Sequence, residues 1–409
     1  MRALYISHNG MLEGLGRAQV LPYLKGLGKR GVAIDLLSFE LAGSDQDAIS
    51  TLASSLVGSG VRWTPLVRKR DSRLRVKVEE AAKGVTQALR IAIARRPDIV
   101  HGRNHLPTAI ADVIATMLPR ARLVFDCRGL LGDENVDAGH WTKDRIEYRL
   151  VKRYEAHAFR RADGVVVLTD ALRRMATDKG WFGRAQVEVI PCCVDTEAFR
   201  FDADERSRMR RELGLGDRCV LVYAGSLGSW YREADIARVA GIAKKRAGKP
   251  ISFLLLTPSK PDALVALLRE NGLLENEIVV RSVRPNEMPS HVMAADVGVS
   301  FIMSCFSKIA SSPTKVAEYL ACGLPVILNG DIGDQADLAV ETQACVVVQR
   351  FSDDVLVPAV DKVLSLSAEP IEARVRAARE VATRRFGLEE VGVARYEHLY
   401  ESVVSKGLS

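Results

Sequence analysis

An α/β fold of two tandem Rossmann-like, doubly wound domains facing a cleft is predicted by three observations in this 409-residue chain. Short runs rich in Val, Ile and Leu alternate with longer stretches of helical apolar spacing, the pattern of parallel strands buried on both faces by helices. The series of runs occurs twice along the chain. At roughly 150 residues per domain, the length also accommodates two such domains.

The first series reads ALYIS (3–7), VAIDLLS (32–38), DIVH (98–101), LVFD (123–126), GVVVLT (164–169) and VEVI (187–190). The second reads VLVYAG (220–225), SFLLL (252–256), EIVVRS (277–282), DVGVSF (296–301), PVILN (325–329) and ACVVV (344–348). These series place an amino-terminal domain at 1–191 and a second at 192–385, with Pro191 to Asp217 as the hinge region because a proline turn leads there into a charged, helix-prone segment. In 386–409, apolar or aromatic residues at Val391, Ala394, Tyr396, Leu399, Tyr400 and Val403 predict a packing helix, which is expected to cross back to the amino-terminal domain.

Composition narrows the class. Hydrophobic residues at 47% and charged residues at 27% give ample core material and exclude a disordered or collagen-like chain. No run reaches the roughly 18 uncharged apolar residues of a membrane span, and no secretion signal is recognised, so a cytoplasmic protein is expected. Seven cysteines form an odd, sparse set, read as thiols in a reducing compartment; the adjacent Cys192 and Cys193 lack metal-site spacing, and no metal is expected. Residues 1–192 carry 31 Lys and Arg against 21 Asp and Glu, or +10, whereas the remainder carries 27 against 30, or −3. A basic half suits a phosphorylated partner or peripheral contact with an anionic membrane, through runs such as Arg68-Lys69-Arg70. Nucleic acid is disfavoured because no aromatics interleave the basic residues.

In doubly wound folds ligands bind beyond the carboxyl ends of the strands, so chemistry is sought in the loops that follow them. After the first strand, Gly10, Gly14 and Gly16 precede a helix starting near Ala18, a candidate phosphate cradle. As a dinucleotide fingerprint the loop fails at Gln19, although Glu40 falls where a ribose-binding acid would stand. The most informative segment is SSPTKVAEYLACGLPVI, 311–327. Ser312 suits an N-cap, Pro313 the first helical position, and Gly323 with Pro325 the helix end. Thr314, Lys315 and Glu318 then share one face at the amino end, where an ammonium and free amides suit a phosphate and a carboxylate suits ribose hydroxyls. The alternative is a Lys–Glu pair on a surface helix. Asp126 and Arg128, at the carboxyl end of the fourth run, are catalytic candidates or an internal ion pair; His101, Arg103 and His105 are secondary candidates, and His140 beside Trp141 marks a candidate acceptor loop. No G-x-S-x-G elbow accompanies a Ser-His-Asp set.

The 311–327 segment resembles the donor-site helix of family 4 retaining glycosyltransferases, whose fold is termed GT-B. RPDIVHGR (96–103), FDCRG (125–129), RADGVVVLT (161–169), VIPCCVDTEAF (189–199) and VYAGSLGSWY (222–231) follow in the family's order. The resemblance implies sugar transfer from a nucleoside diphosphate sugar to an acceptor hydroxyl with retention and without a metal cofactor, the acceptor being a glycan, a lipid-linked sugar or a small molecule. It implies Glu318 on the ribose, Thr314 and Lys315 on the diphosphate with Lys315 catalytic, Gly225, Ser226 and Arg232 near the phosphates, and the Val283–Arg284 backbone on the base. The chain departs from the family pattern at Ala310, where a glutamate is usual, at Cys192-Cys193, and in having Arg232 as the sole cation after the Gly225 loop. A nucleotide-sugar epimerase and a non-catalytic nucleotide-sugar binder are the rival readings.

Overall fold

The computed structural model describes residues 1–71, 73–228 and 230–406. The chain divides into two compact units, one of Met1–Pro191 with Leu388–Ser409, the other of Cys192–Gly387.

The first unit is built on seven parallel strands: β1 (Arg2–Ser7), β2 (Ala33–Leu41), β3 (Val61–Arg68), β4 (Ile99–Arg103), β5 (Arg122–Cys127), β6 (Gly164–Val167) and β7 (Gln186–Val189). Their order is β3-β2-β1-β4-β5-β6-β7, with β1 between β2 and β4. The sequence reading lacks β3. Its VRWTPLVR pattern carries Pro65 and the polar Arg62, Thr64 and Arg68, because β3 is an edge strand whose free side tolerates a missing amide and whose residues are only partly covered.

The second unit carries β8 (Cys219–Ala224), β9 (Ile251–Leu256), β10 (Ile278–Arg281), β11 (Val297–Ser300), β12 (Val326–Asn329) and β13 (Cys345–Val348), parallel in the order β10-β9-β8-β11-β12-β13. Every residue of β8 and β9 is buried, which explains their continuous apolar runs. Val220, Val222 and Ala224 enter the core on one face of the sheet, while Cys219, Leu221 and Tyr223 enter the core on the other.

The expected hinge is a docked element. Its Ala203–Glu212 helix buries Met209, and Leu213 and Leu215 follow it into the second unit's core. Arg206 and Arg210 reach Asp296 at 2.6 and 3.3 Å. The chain instead passes from unit to unit after Pro191 and after Gly387, and the two crossing segments lie side by side through Val194 N–H donating to the Phe386 carbonyl at 2.8 Å. The final helix, Ala394–Ser405, buries Tyr396, Leu399, Tyr400 and Val403 within the first unit.

Candidate functional site

In the second unit, the helix Thr314–Ala321 starts one residue later than the caps predict. Pro313 occupies the N-cap and among the described residues no side chain caps the first turn, which leaves the amides of Thr314 and Lys315 available as donors. Ser312 is not the cap: its hydroxyl accepts from the Cys192 amide at 3.1 Å, tying the start of this unit to the helix entrance. The helix is fixed against the end of β8 by the Ala224 amide, which donates to the Tyr319 hydroxyl at 2.7 Å.

This anchoring delivers Lys315 to the carboxyl end of β8. Its side chain is 8% exposed, and its Nζ lies 3.8 Å from the Tyr223 ring centroid and 4.3 Å from that of Tyr231. None of its three N–H bonds meets an acceptor among the described residues. Burial lowers its pKa from 10.5 to about 7, although the nearby Glu318 opposes the shift. Glu318, half-buried one turn on, forms no ion pair or hydrogen bond among the described residues, and burial raises its carboxyl from 4.5 to about 7 against the opposing pull of Lys315. A structural Lys–Glu pair would close on itself. Here the two groups are desolvated and attract each other without closing a hydrogen bond, a costly arrangement that a bound ligand would relieve.

Gly225 completes the approach to the ammonium. Its φ of +124° suits glycine, and a methyl group there would lie 3.3 Å from Lys315 Nζ. The loop to Gly228 is shaped by internal bonds: Tyr223 OH donates to Ser226 O at 2.7 Å, Leu227 N to Ser259 Oγ at 3.1 Å, and Gly228 N to Glu233 at 2.8 Å. Ser226 is exposed beside them. Arg232 departs from its expected place, because it pairs with Asp235 at 2.8 Å and its guanidinium lies over Phe351. Arg284 is likewise engaged, its amide and guanidinium both donating to Glu287, whereas the half-buried Val283 packs on the core.

Two assignments in the first unit are corrected. The loop with Gly14 and Gly16 is not a phosphate cradle, since Glu40 accepts the Met11 and Leu12 amides at 2.7 and 3.2 Å and leaves a carboxylate where an anion would sit. Gly16 serves packing, because any side chain there would strike the Gly10 carbonyl. Asp126 is fully buried: Tyr396 donates to it at 2.9 Å, and His101 and Arg128 each lie 3.5 Å away. Burial works to raise its pKa, but Arg128, His101 and Arg103 outweigh it and hold the carboxyl well below the usual range. Of the two readings offered for Asp126 and Arg128, the internal ion pair is the one observed.

The secondary candidates disperse. His101 bonds Tyr400 at 2.7 Å, Arg103 donates to Asn9 at 3.0 Å, and His105 pairs with Glu155 at 3.0 Å; all three are buried. His140 is exposed after the Leu131–Asp137 helix. Tyr223 and Tyr231 were absent from the candidates, although both flank the Gly225 loop and together supply the aromatic faces around Lys315.

Residues 16–193 match the family profile described as "Glycosyl transferase 4-like domain". The chain is 30% identical over 212 residues to a GDP-mannose-dependent alpha-(1-6)-phosphatidylinositol monomannoside mannosyltransferase of Mycolicibacterium smegmatis, covering 50% of this chain and 52% of that protein. It is 26% identical over 271 residues to the 2-deoxystreptamine glucosyltransferase of Streptomyces kanamyceticus, covering 65% and 67%. The chain thus spans about half the length of the first relative and about two thirds of the second. HepE of Anabaena, solved in complex with UDP, shares the fold at a TM-score of 0.69 and 17% identity, over 99% of this chain and 100% of that one.

Proposed function

We propose, from the match of residues 16–193 to the glycosyl transferase 4-like domain, an enzyme that moves a sugar from a nucleoside diphosphate sugar to an acceptor hydroxyl. One observation carries the reading: at an uncapped helix start the buried Lys315 ammonium meets no acceptor among the described residues, and the half-buried Glu318 carboxylate stands one turn on. A nucleoside diphosphate matches both, with phosphate on the ammonium and free amides and ribose hydroxyls on the carboxylate. Relatives named for GDP-mannose and glucosyl transfer, and a fold neighbour solved with UDP, support a donor of this class.

In the proposed reaction the bond from the sugar's anomeric carbon to the diphosphate breaks, and a bond to the acceptor oxygen forms as that hydroxyl loses its proton. Negative charge grows on the departing diphosphate, so fixed positive potential at its oxygens lowers the barrier. Lys315 and the Thr314 and Lys315 amides supply it. The proposal includes retention at the anomeric carbon and no resident metal.

Glu318→Gln is expected to weaken free nucleoside diphosphate and intact donor alike, by about 10- to 100-fold, because a charged hydrogen bond worth about 1.5–3 kcal/mol becomes neutral. Calorimetry of wild type and variant with UDP, GDP and their sugars tests this. Binding of no nucleotide by the wild type would refute the reading.

We extend the proposal to a glycan, lipid-linked or small anionic acceptor met by the basic first unit, with contact at the inner face of a membrane. Among the described residues no helix is long and apolar enough to cross a membrane. Arg68 is committed to Glu13 and the Phe39 carbonyl, which leaves Lys69 and Arg70 as the exposed cations of that run. Reversing those two to glutamate should reduce sedimentation with phosphatidylserine vesicles at low salt, as each contributes about 1 kcal/mol at such a surface. Failure of the wild type to sediment would exclude the membrane.

A further inference from the structure

A nucleoside diphosphate sugar carries negative charge on both phosphates, and Lys315 answers only one of them. The next cation along the β8 loop, Arg232, is neutralised by Asp235. Lys308 is different. It lies on the short Phe306–Ala310 turn between β11 and the Thr314–Ala321 helix, is 8% exposed, and has no hydrogen bond or ion pair from its ammonium among the described residues. The Trp230 ring centroid lies 3.6 Å from its Nζ.

The backbone places this lysine at the ligand edge of the sheet. Trp230 O accepts the Met303 amide at 2.9 Å and Tyr231 bridges Ile302, so the loop leaving β8 is stitched to the segment leaving β11. Lys308 O accepts the Gly333 amide at 2.9 Å, which fixes the turn beside the exit of β12. Three adjacent strands therefore end around Lys308, and doubly wound sheets bind ligands at that end. Lys308 meets the ring of Trp230, and Lys315 meets that of the next residue, Tyr231. Residues 301–317 contain these two lysines and no acidic side chain. A ring face attracts an ammonium but leaves its charge unneutralised, and an anion would pair with it.

We propose that Lys308 binds the second anionic group of the donor, either the sugar-side phosphate or a carboxylate carried by the sugar. The assignment rests on the donor reading above and deepens it. Lys308 is a binding and specificity residue for that group, and the Trp230 ring holds its ammonium in place until the anion arrives.

The test measures affinities of UMP, UDP, UDP-glucose and UDP-glucuronate, with GMP, GDP and GDP-mannose in parallel, for wild type, Lys308→Met and Lys308→Arg. Methionine keeps the contact with Trp230 and removes the charge. With Lys308→Met, monophosphate affinity should stay within about twofold while diphosphate affinity falls about 10- to 100-fold, and arginine should restore most of it. A loss confined to UDP-glucuronate would identify the sugar carboxylate as the group bound and equally support the assignment. Equal losses for mono- and diphosphates, or no loss for any ligand, would overturn it while leaving the donor reading standing. Binding of no diphosphate by the wild type would instead remove the donor reading, and this inference with it.

Discussion

Lys315→Met should lower turnover about 10²- to 10³-fold, since a single donor at the developing charge contributes about 2.7–4 kcal/mol to the transition state. The same variant should be no less stable than the wild type. An ammonium that is 8% exposed and without an acceptor destabilises the free protein, and methionine fills the space between Tyr223 and Tyr231 without that cost. Function and stability are therefore expected to move in opposite directions, which separates a ligand-binding lysine from a structural one.

The ammonium also predicts a proton signature. With a pKa lowered from 10.5 to about 7, Lys315 is largely neutral at pH 8 in the free protein, whereas the unfolded chain holds that proton up to about 10.5. Its contribution to stability therefore rises with pH across that window. A diphosphate restores the charged form, so binding at pH 8 should take up as much as one proton, and the uptake should fade by pH 6, where the lysine is already charged. Calorimetry in two buffers of different ionisation enthalpy measures it. Uptake that persists in Lys315→Met would place the titrating group elsewhere, and wild-type turnover in that variant would remove Lys315 from the reaction.

What the sequence disclosed follows from which interactions are local. Strands buried on both faces write themselves as continuous apolar runs, so twelve of the strands are legible, β8 and β9 most plainly. β3 is not, because an edge strand with Pro65 and partly exposed positions has neither a continuous run nor clean alternation. The Lys315–Glu318 face is legible because helical spacing alone brings those residues together. Contacts made by folding are silent in the sequence: Glu40 closing on the Met11 and Leu12 amides, Tyr231 covering Lys315, and Ser312 serving Cys192 in place of its own helix. Of the expected hinge region only its start at Pro191 coincides with the passage between units, for a related reason. A charged helix reads as a solvated connector, yet Arg206 and Arg210 spend their charge on the buried Asp296.

Asp126→Ala should destabilise the protein by about 3–5 kcal/mol, because it takes a buried carboxylate away from Arg128 and His101 inside the first unit and removes the acceptor of the Tyr396 hydroxyl. The Tyr396 bond links β5 to the final helix, so that helix should loosen first. Limited proteolysis ought to cut within Ala394–Ser405 of the variant at temperatures where the wild type resists. The carboxyl is held below its ordinary 3.8, so the stability it contributes is complete above that pH and is lost on acidification as the folded protein takes up the proton. Asp126→Asn keeps the shape and an oxygen for Tyr396, and turnover per folded molecule should stay within a few-fold of wild type. Chemical denaturation followed alongside activity distinguishes the two roles: an Asn variant of unchanged stability whose turnover collapsed would return Asp126 to the reaction, whereas lost stability with retained turnover fits an anion whose work is to fasten the last helix to the sheet.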